Sequence, residues 1–210
     1  MEILKLLLDF FLHIDKNLAS IIAQYGVLTY AFLFFVIFME TGLVITPFLP
    51  GDSLLFAAGA LAAGGSFNIL PLYLIVAVAA ITGDTVNYWI GDKLEKKVFD
   101  GRSKFFKKEY LEQAEEFYKK HGGKAIVFAR FVPIVRTFAP FVAGISKMHY
   151  GTFLSYNVIG GVAWVTIFLF GGFLFGNLPF FRENFHYIAI MIVGISVVPI
   201  LIEVHKRRRK

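Results

Sequence analysis

The sequence predicts an all-α polytopic membrane protein. It is read as about four full transmembrane helices plus two opposed re-entrant helical hairpins in an inverted repeat, with amphipathic helices at the interface. Three observations predict this. Of 210 residues, 57% are apolar or aromatic and only 17% are charged, against roughly 45–50% and about 25% in soluble domains, and the mean hydropathy is +0.67. Long apolar runs recur at the length of about 20 residues that a bilayer requires. Two more runs are as apolar but carry prolines and charges unsuited to one unbroken span. This composition excludes a water-soluble enzyme and a disordered chain.

The elements follow in order. Residues 2–25 place Ile3, Leu7, Phe10, Ile14, Leu18 and Ile21 at helical spacing, with Glu2, Lys5, Asp9 and Lys16 on another face. That is an amphipathic helix, lying on the membrane surface or packed against the bundle. The early apolar run is short and interrupted by Asp9, so a cleavable signal is not expected. A first span covers about residues 27–46 and holds Glu40. Pro47, Pro50, Gly51 and Asp52 then open an apolar, small-residue stretch, and the whole segment 47–66 reads as re-entrant. A second span, about 69–91, carries Asp84 in its latter half. The basic stretch 92–124 follows, with a surface helix sketched by Phe106, Tyr110, Ala114, Phe117 and His121. Segment 125–146 is apolar but broken by Arg130, Pro133, Arg136 and Pro140, and it too reads as re-entrant. A third span runs from about 152 to 175 and a fourth from 186 to 202, before a basic tail at 205–210. The domain organisation is thus an N-terminal helix at 1–25, a membrane domain at 26–204 and the tail.

Charge fixes the expected topology. Ten of the 21 Lys and Arg lie between Lys93 and Lys124 and five more between Lys206 and Lys210. Cytoplasmic loops carry such an excess, so both stretches, and both termini, are expected inside. The segments 47–66 and 125–146 must then each leave and return on one side. Twenty residues folded back give arms of about 15 Å, half of a 30 Å hydrocarbon core. Pro47 precedes Gly59 by twelve residues and Pro133 precedes Gly144 by eleven. That weak internal symmetry is the mark of inverted-repeat transporters, whose sites lie where broken helices meet. Pro47, Pro50, Gly51, Pro133, Pro140 and Gly144 are the expected hairpin-shaping residues.

Five ionisable residues fall at or beside membrane depth: Glu40, Asp52, Asp84, Arg130 and Arg136. Each costs about 2.5–3.5 kcal/mol at the centre of an isolated span, so they must face one another or a wet cavity. Pro133 lies between the two arginines, and a break there lets both enter one pocket. A guanidinium is always charged and its planar fork fits phosphate oxygens. Arg130 and Arg136 are therefore the candidate phosphate-binding pair, and Glu40 and Asp52 the candidate proton-coupling or gating groups. The alternative is that the carboxylates simply neutralise the arginines. Gly83-Asp84 and Asn87-Tyr88 occupy a polar helical stripe that lines the cavity or sits near the cytoplasmic interface; Asp84 and Tyr88 are its cavity candidates, and Thr137 is a further one. The five histidines fall at segment ends without a second ligand at metal spacing, and there is no cysteine, so neither metal nor cofactor is expected. The basic tail reads as a contact for anionic lipids and no nucleic-acid partner is expected.

Phe38-Met39-Glu40-Thr41-Gly42 through Pro47-Phe48-Leu49-Pro50-Gly51-Asp52 resembles the first signature of the DedA family of SNARE-associated or VTT domain proteins. Phe128-Ala129-Arg130-Phe131-Val132-Pro133, Arg136-Thr137 and Ala143-Gly144 are similar to the second. Gly83-Asp84 with Tyr88 and Gly91 resembles the motif between them, and the likeness runs from about residue 26 to 203. Many members carry a basic residue straight after the glycine matching Gly91, where this chain has Asp92 and then Lys93. The resemblance implies an inner-membrane lipid transporter with opposed hairpins. Its acidic residues matching Glu40 and Asp52 and arginines matching Arg130 and Arg136 are the ones tied to function. The expected activity is a proton-linked flippase returning undecaprenyl phosphate across the cytoplasmic membrane, a transporter and not an enzyme. Movement of phosphatidylethanolamine, by a flippase or scramblase, is the first alternative; a proton-coupled ion transporter is the second. Nothing in the sequence names an oligomeric state.

Overall fold

The computed structural model describes residues 20–21, 24–43, 51–99, 116, 118 and 120–178. The expected N-terminal helix (all but its last few residues), Pro47 and Pro50, most of the basic stretch, the fourth span and the basic tail lie outside the described residues. Among those described, every regular element is helical: α1 (Leu28–Gly42), α2 (Gly51–Ala63), α3 (Ile69–Phe99), a 3-10 turn (Gly122–Lys124), α4 (Ala125–Ala129), α5 (Pro133–Ile145), α6 (Tyr150–Val165), a π segment (Thr166–Phe170) and α7 (Gly171–Gly176).

Two stretches, Ile69–Leu94 and Tyr150–Gly176, are long and apolar enough to cross a membrane, at 26 and 27 residues. Only 39% and 33% of their apolar windows are buried within the protein, whereas a soluble core helix is mostly buried. On α3 the exposed apolar side chains Leu70, Leu74 and Val78 recur at the four-residue spacing of one helix face. That face suits lipid tails. α1, α2 and the α5 stretch are shorter apolar helices.

Several boundaries differ from the sequence reading. The second span is borne out as the stretch Ile69–Leu94, while its helix continues past it to Phe99. The arms of segment 125–146 are unequal, α4 with 5 residues and α5 with 13. Val132 is extended and Pro133 is the first residue of α5, as expected where proline forces its predecessor out of helical geometry and needs no hydrogen bond of its own. Pro140 does not break the chain: α5 runs through it. Proline is tolerated within membrane helices because surrounding groups satisfy the carbonyl it leaves open. Gly144 lies in the last turn of α5.

The described residues form two compact units. One comprises those within Met1–Leu33, Pro50–Ile75 and Val165–Lys210, the other those within Phe34–Leu49 and Val76–Trp164. In the first, α2 packs on the π segment and α7. A methyl added at Gly59 would strike the Leu169 carbonyl, one at Gly172 the Phe56 carbonyl, and one at Gly176 would lie 2.6 Å from the Ala60 Cα. Between lipid-embedded helices there is no hydrophobic drive, so close backbone approach through small residues is what holds them. Leu54, Leu55, Ala57 and Ala58 are buried on the same helix. α2 ends with Gly65 at φ +84°, while Ser66 N donates to Leu61 O and Gly65 N to Ala62 O, both at 3.0 Å. This is a Schellman stop built on the residue that takes left-handed geometry without strain.

In the second unit, α5 packs against the latter part of α3 with the same local geometry. A methyl at Gly91 would strike the Phe141 carbonyl, and one at Gly144 the Tyr88 carbonyl. Around this contact Tyr88, Ala129, Val135, Ala139 and Phe153 form one buried cluster and Phe138, Phe141, Val142 and Ile145 another. α5 also ends in a Schellman stop, Met148 N to Ala143 O and Lys147 N to Gly144 O, both 3.0 Å. The left-handed residue here is Lys147, at φ 54°. Its Nζ reaches Asp92 Oδ1 at 2.9 Å and Asp92 O at 3.0 Å. Asp92, where the resemblance leads one to expect a basic residue, thus ties the end of α5 to α3.

Candidate functional site: a cavity of paired charges

The second unit contains a small cavity lined by Glu40, Thr41, Asp84, Arg130, Arg136, Thr137 and Trp164. Glu40 and Thr41 come from the last turn of α1, Asp84 from α3, Arg130 from the break between α4 and α5, Arg136 and Thr137 from the first turns of α5, and Trp164 from α6. The glycines explain how α1 and α3 approach so closely. A methyl on Gly83 would overlap the Thr41 hydroxyl, and one on Gly42 would lie 3.3 Å from the Gly83 Cα. That crossing puts a carboxylate of each helix at the cavity wall.

The charges pair in a defined way. Arg130 Nη2 donates to Asp84 Oδ2 at 2.6 Å and to Asn157 Oδ1 at 2.5 Å, with both charged side chains 5% exposed. The Asn157 amide donates in turn to Ile81 O at 2.9 Å, which orients its oxygen toward the arginine. Gly160 and Gly161 on α6 leave room for the guanidinium: methyls there would lie 3.3 Å from Arg130 Nε and 3.4 Å from Nη2. Arg136 Nη2 donates to Glu40 Oε1, and its guanidinium carbon lies over the Trp164 ring, 5.9 Å from the centroid. Asn87 Nδ2 spans Thr137 O at 2.8 Å and Thr41 O at 3.2 Å, joining α1 and α5 through α3.

Such a site has a physical consequence. Removing one member of a buried pair strands the other charge at about 3–5 kcal/mol. The free volume among the side chains is about 10 Å³, the scale of a single water molecule. Two guanidiniums and two carboxylates therefore fill the site with their own counter-charges. One donor remains unused, since the buried Arg130 Nε has no hydrogen-bond partner.

Residues 49–174 match the VTT domain family. Protein DedA of Escherichia coli K12 is 49% identical over 212 residues, which cover 100% of this chain and 97% of that protein. This chain belongs to the DedA family. An uncharacterized membrane protein of Mycobacterium leprae is 42% identical over 80% of the chain and 75% of its own length. The inner membrane protein YqjA of Escherichia coli K12 is 34% identical over 73% of the chain and 70% of its own length. No solved structure matches. With its lipid-facing helices, this DedA-family chain is a membrane protein.

Of the residues singled out from sequence, Glu40, Asp84, Arg130, Arg136 and Thr137 meet at the cavity. Asp84 lines it, as one of the two sequence readings expected. Asp52 does not line it; it stands in the first turn of α2, in the other unit. Tyr88 does not line it either. Its ring stacks on Phe153 at 4.5 Å and its hydroxyl donates to Met148 O at 2.5 Å, because a large aromatic at that position gains more from the α5–α6 core. Sequence reasoning missed Asn157 and Trp164; it placed Asn87 on the polar stripe and Thr41 in a family motif without giving either a role. Asn157 had one available signal, a buried-type amide beside Gly160-Gly161 in an otherwise apolar span.

Proposed function

We propose that this protein carries a lipid phosphate across the cytoplasmic membrane as a transporter that makes and breaks no covalent bond. Undecaprenyl phosphate is the first substrate to test. The observation that carries the reading is the ring of Arg130, Arg136, Asp84 and Glu40 inside one unit. Buried arginines held by the protein's own carboxylates are preformed phosphate receptors whose places are already taken. The headgroup enters by displacing a carboxylate, and the polyprenyl chain stays in lipid, so only the phosphate needs a path. Arg136 is the more exposed cation, at 12% against 5% for Arg130, and it exchanges first. Arg130 stays on Asp84 and Asn157 and offers its free Nε. A carboxylate released from its cation in a dry site takes up a proton, which makes Glu40 the coupling group of this cavity and Asp52 a second gating candidate outside it. The basic tail would hold anionic lipids on the cytoplasmic side, with both termini inside.

The test is leaflet-to-leaflet movement of labelled undecaprenyl phosphate in proteoliposomes, with phosphatidylethanolamine as competitor. Movement of the polyprenyl phosphate alone, lost in Arg136→Ala protein that remains folded, is the expected result. Movement of both lipids would make it a scramblase. Proton-coupled ion flux in vesicles lacking either lipid would replace the proposal with an ion transporter.

A further inference from the structure

We infer that Trp164 is the positioning residue on which Arg136 turns when it exchanges Glu40 for a ligand phosphate. The inference rests on the lipid-phosphate reading for its ligand, but its first observation is independent of it. Trp164 is a fully buried indole, 2% exposed, that lines the charged cavity. A large aromatic at a wall shared by four ionised groups costs packing freedom that leucine would not. Beside its N–H donor the indole presents a π face, and the Arg136 guanidinium lies over it within the roughly 6 Å reach of a cation–π interaction.

The exchange has a physical difficulty. As the Arg136–Glu40 pair opens, the guanidinium loses a charged partner in a site with room for about one water. A cation–π contact is worth most when desolvated, and it is indifferent to rotation of the planar cation about the ring normal. The fork can therefore swing from carboxylate to phosphate while the cation–π contact persists. Arg130 needs no such surface, because Asp84 and Asn157 hold it together. Each arginine thus has a support that outlasts the exchange, an amide and carboxylate for one and an indole for the other.

A double-mutant cycle tests this without reference to any lipid. Glu40→Gln, Trp164→Leu and the double variant are melted in detergent. If Trp164 takes up the guanidinium when the carboxylate is gone, the double variant loses about 3 °C or more beyond the sum of the two single losses. Trp164→Phe, which keeps a π face, gives a smaller excess. Additive losses, or an equal excess with Phe and Leu, overturn the inference. Equilibrium binding of undecaprenyl phosphate in nanodiscs is the second arm: Trp164→Leu binds about tenfold more weakly and Trp164→Phe within about threefold of wild type. Equal affinity of the Leu and Phe variants also overturns it. Absence of binding by wild-type protein, with an excess loss in the melts, leaves Trp164 as the support of Arg136 and removes the lipid-phosphate reading instead.

Discussion

The two units use one helix clasp for different ends. In the first, Phe56 and Gly59 of α2 meet Leu169, Gly172 and Phe173. In the second, Phe141 and Gly144 of α5 meet Tyr88, Gly91 and Asp92. The spacing within each set is the same, and each 13-residue helix ends in the same Schellman stop. Counting back four positions from Leu169 and from Tyr88 leads to Val165 in one unit and Asp84 in the other. Three further on stand Phe168 and Asn87. One unit fills these positions with hydrocarbon, the other with an ion pair and a bridging amide. The packing solution is therefore independent of the charges, and the charges are additions to a scaffold that holds without them elsewhere in the same chain.

The largest effect should come from breaking the clasp itself. Gly59→Val or Gly91→Val sets a side chain against backbone, which cannot move aside, and should abolish recovery of folded protein from membranes; Gly171→Ala, where the nearest atom is 3.9 Å away, should change stability by less than about 0.5 kcal/mol. Next comes the polar addition. Asp84→Ala strands Arg130 and should cost about 3–5 kcal/mol in detergent melts, most of it regained when Arg130→Met is added; failure of that second change to restore stability would show that the pair holds the unit together. Asn157→Ala removes an acceptor from Arg130 and a donor from Ile81 O, at about 1–3 kcal/mol. The smallest contrast lies in the two stops. Gly65→Ala should cost about 1 kcal/mol for left-handed strain. Lys147→Gly relieves that strain but loses the exposed pair with Asp92, leaving stability within about 0.5 kcal/mol of wild type.

Sequence made the class of fold plain because apolar length and composition are set by the bilayer itself. It also marked Pro133 as a break, since proline acts on its own neighbours. It mistook Pro140 for another, because whether a proline breaks a buried helix depends on contacts that the local sequence does not contain. Gly144 was legible as a special position, but not as the point of close approach to Tyr88, because conformational freedom and close packing leave the same letter. At the site, the charged residues were legible from their cost in lipid, but their partners were not. Asp52 stood closer in sequence to Glu40 than Asp84 does, yet the crossing at Gly42 and Gly83 delivers Asp84. Asn157 and Trp164 were hidden because an amide and an indole in a span carry no charge to announce them.

The proposed exchange is a competition, in which Glu40 would hold the guanidinium that a phosphate takes. Equilibrium binding of undecaprenyl phosphate to wild-type protein and to Glu40→Gln in nanodiscs tests this most directly. If Glu40 competes for Arg136, the variant binds about tenfold or more tightly while failing to move the lipid between leaflets. Equal or weaker binding by folded Glu40→Gln protein would mean that the carboxylate and the phosphate do not share the guanidinium, and the central claim would fall.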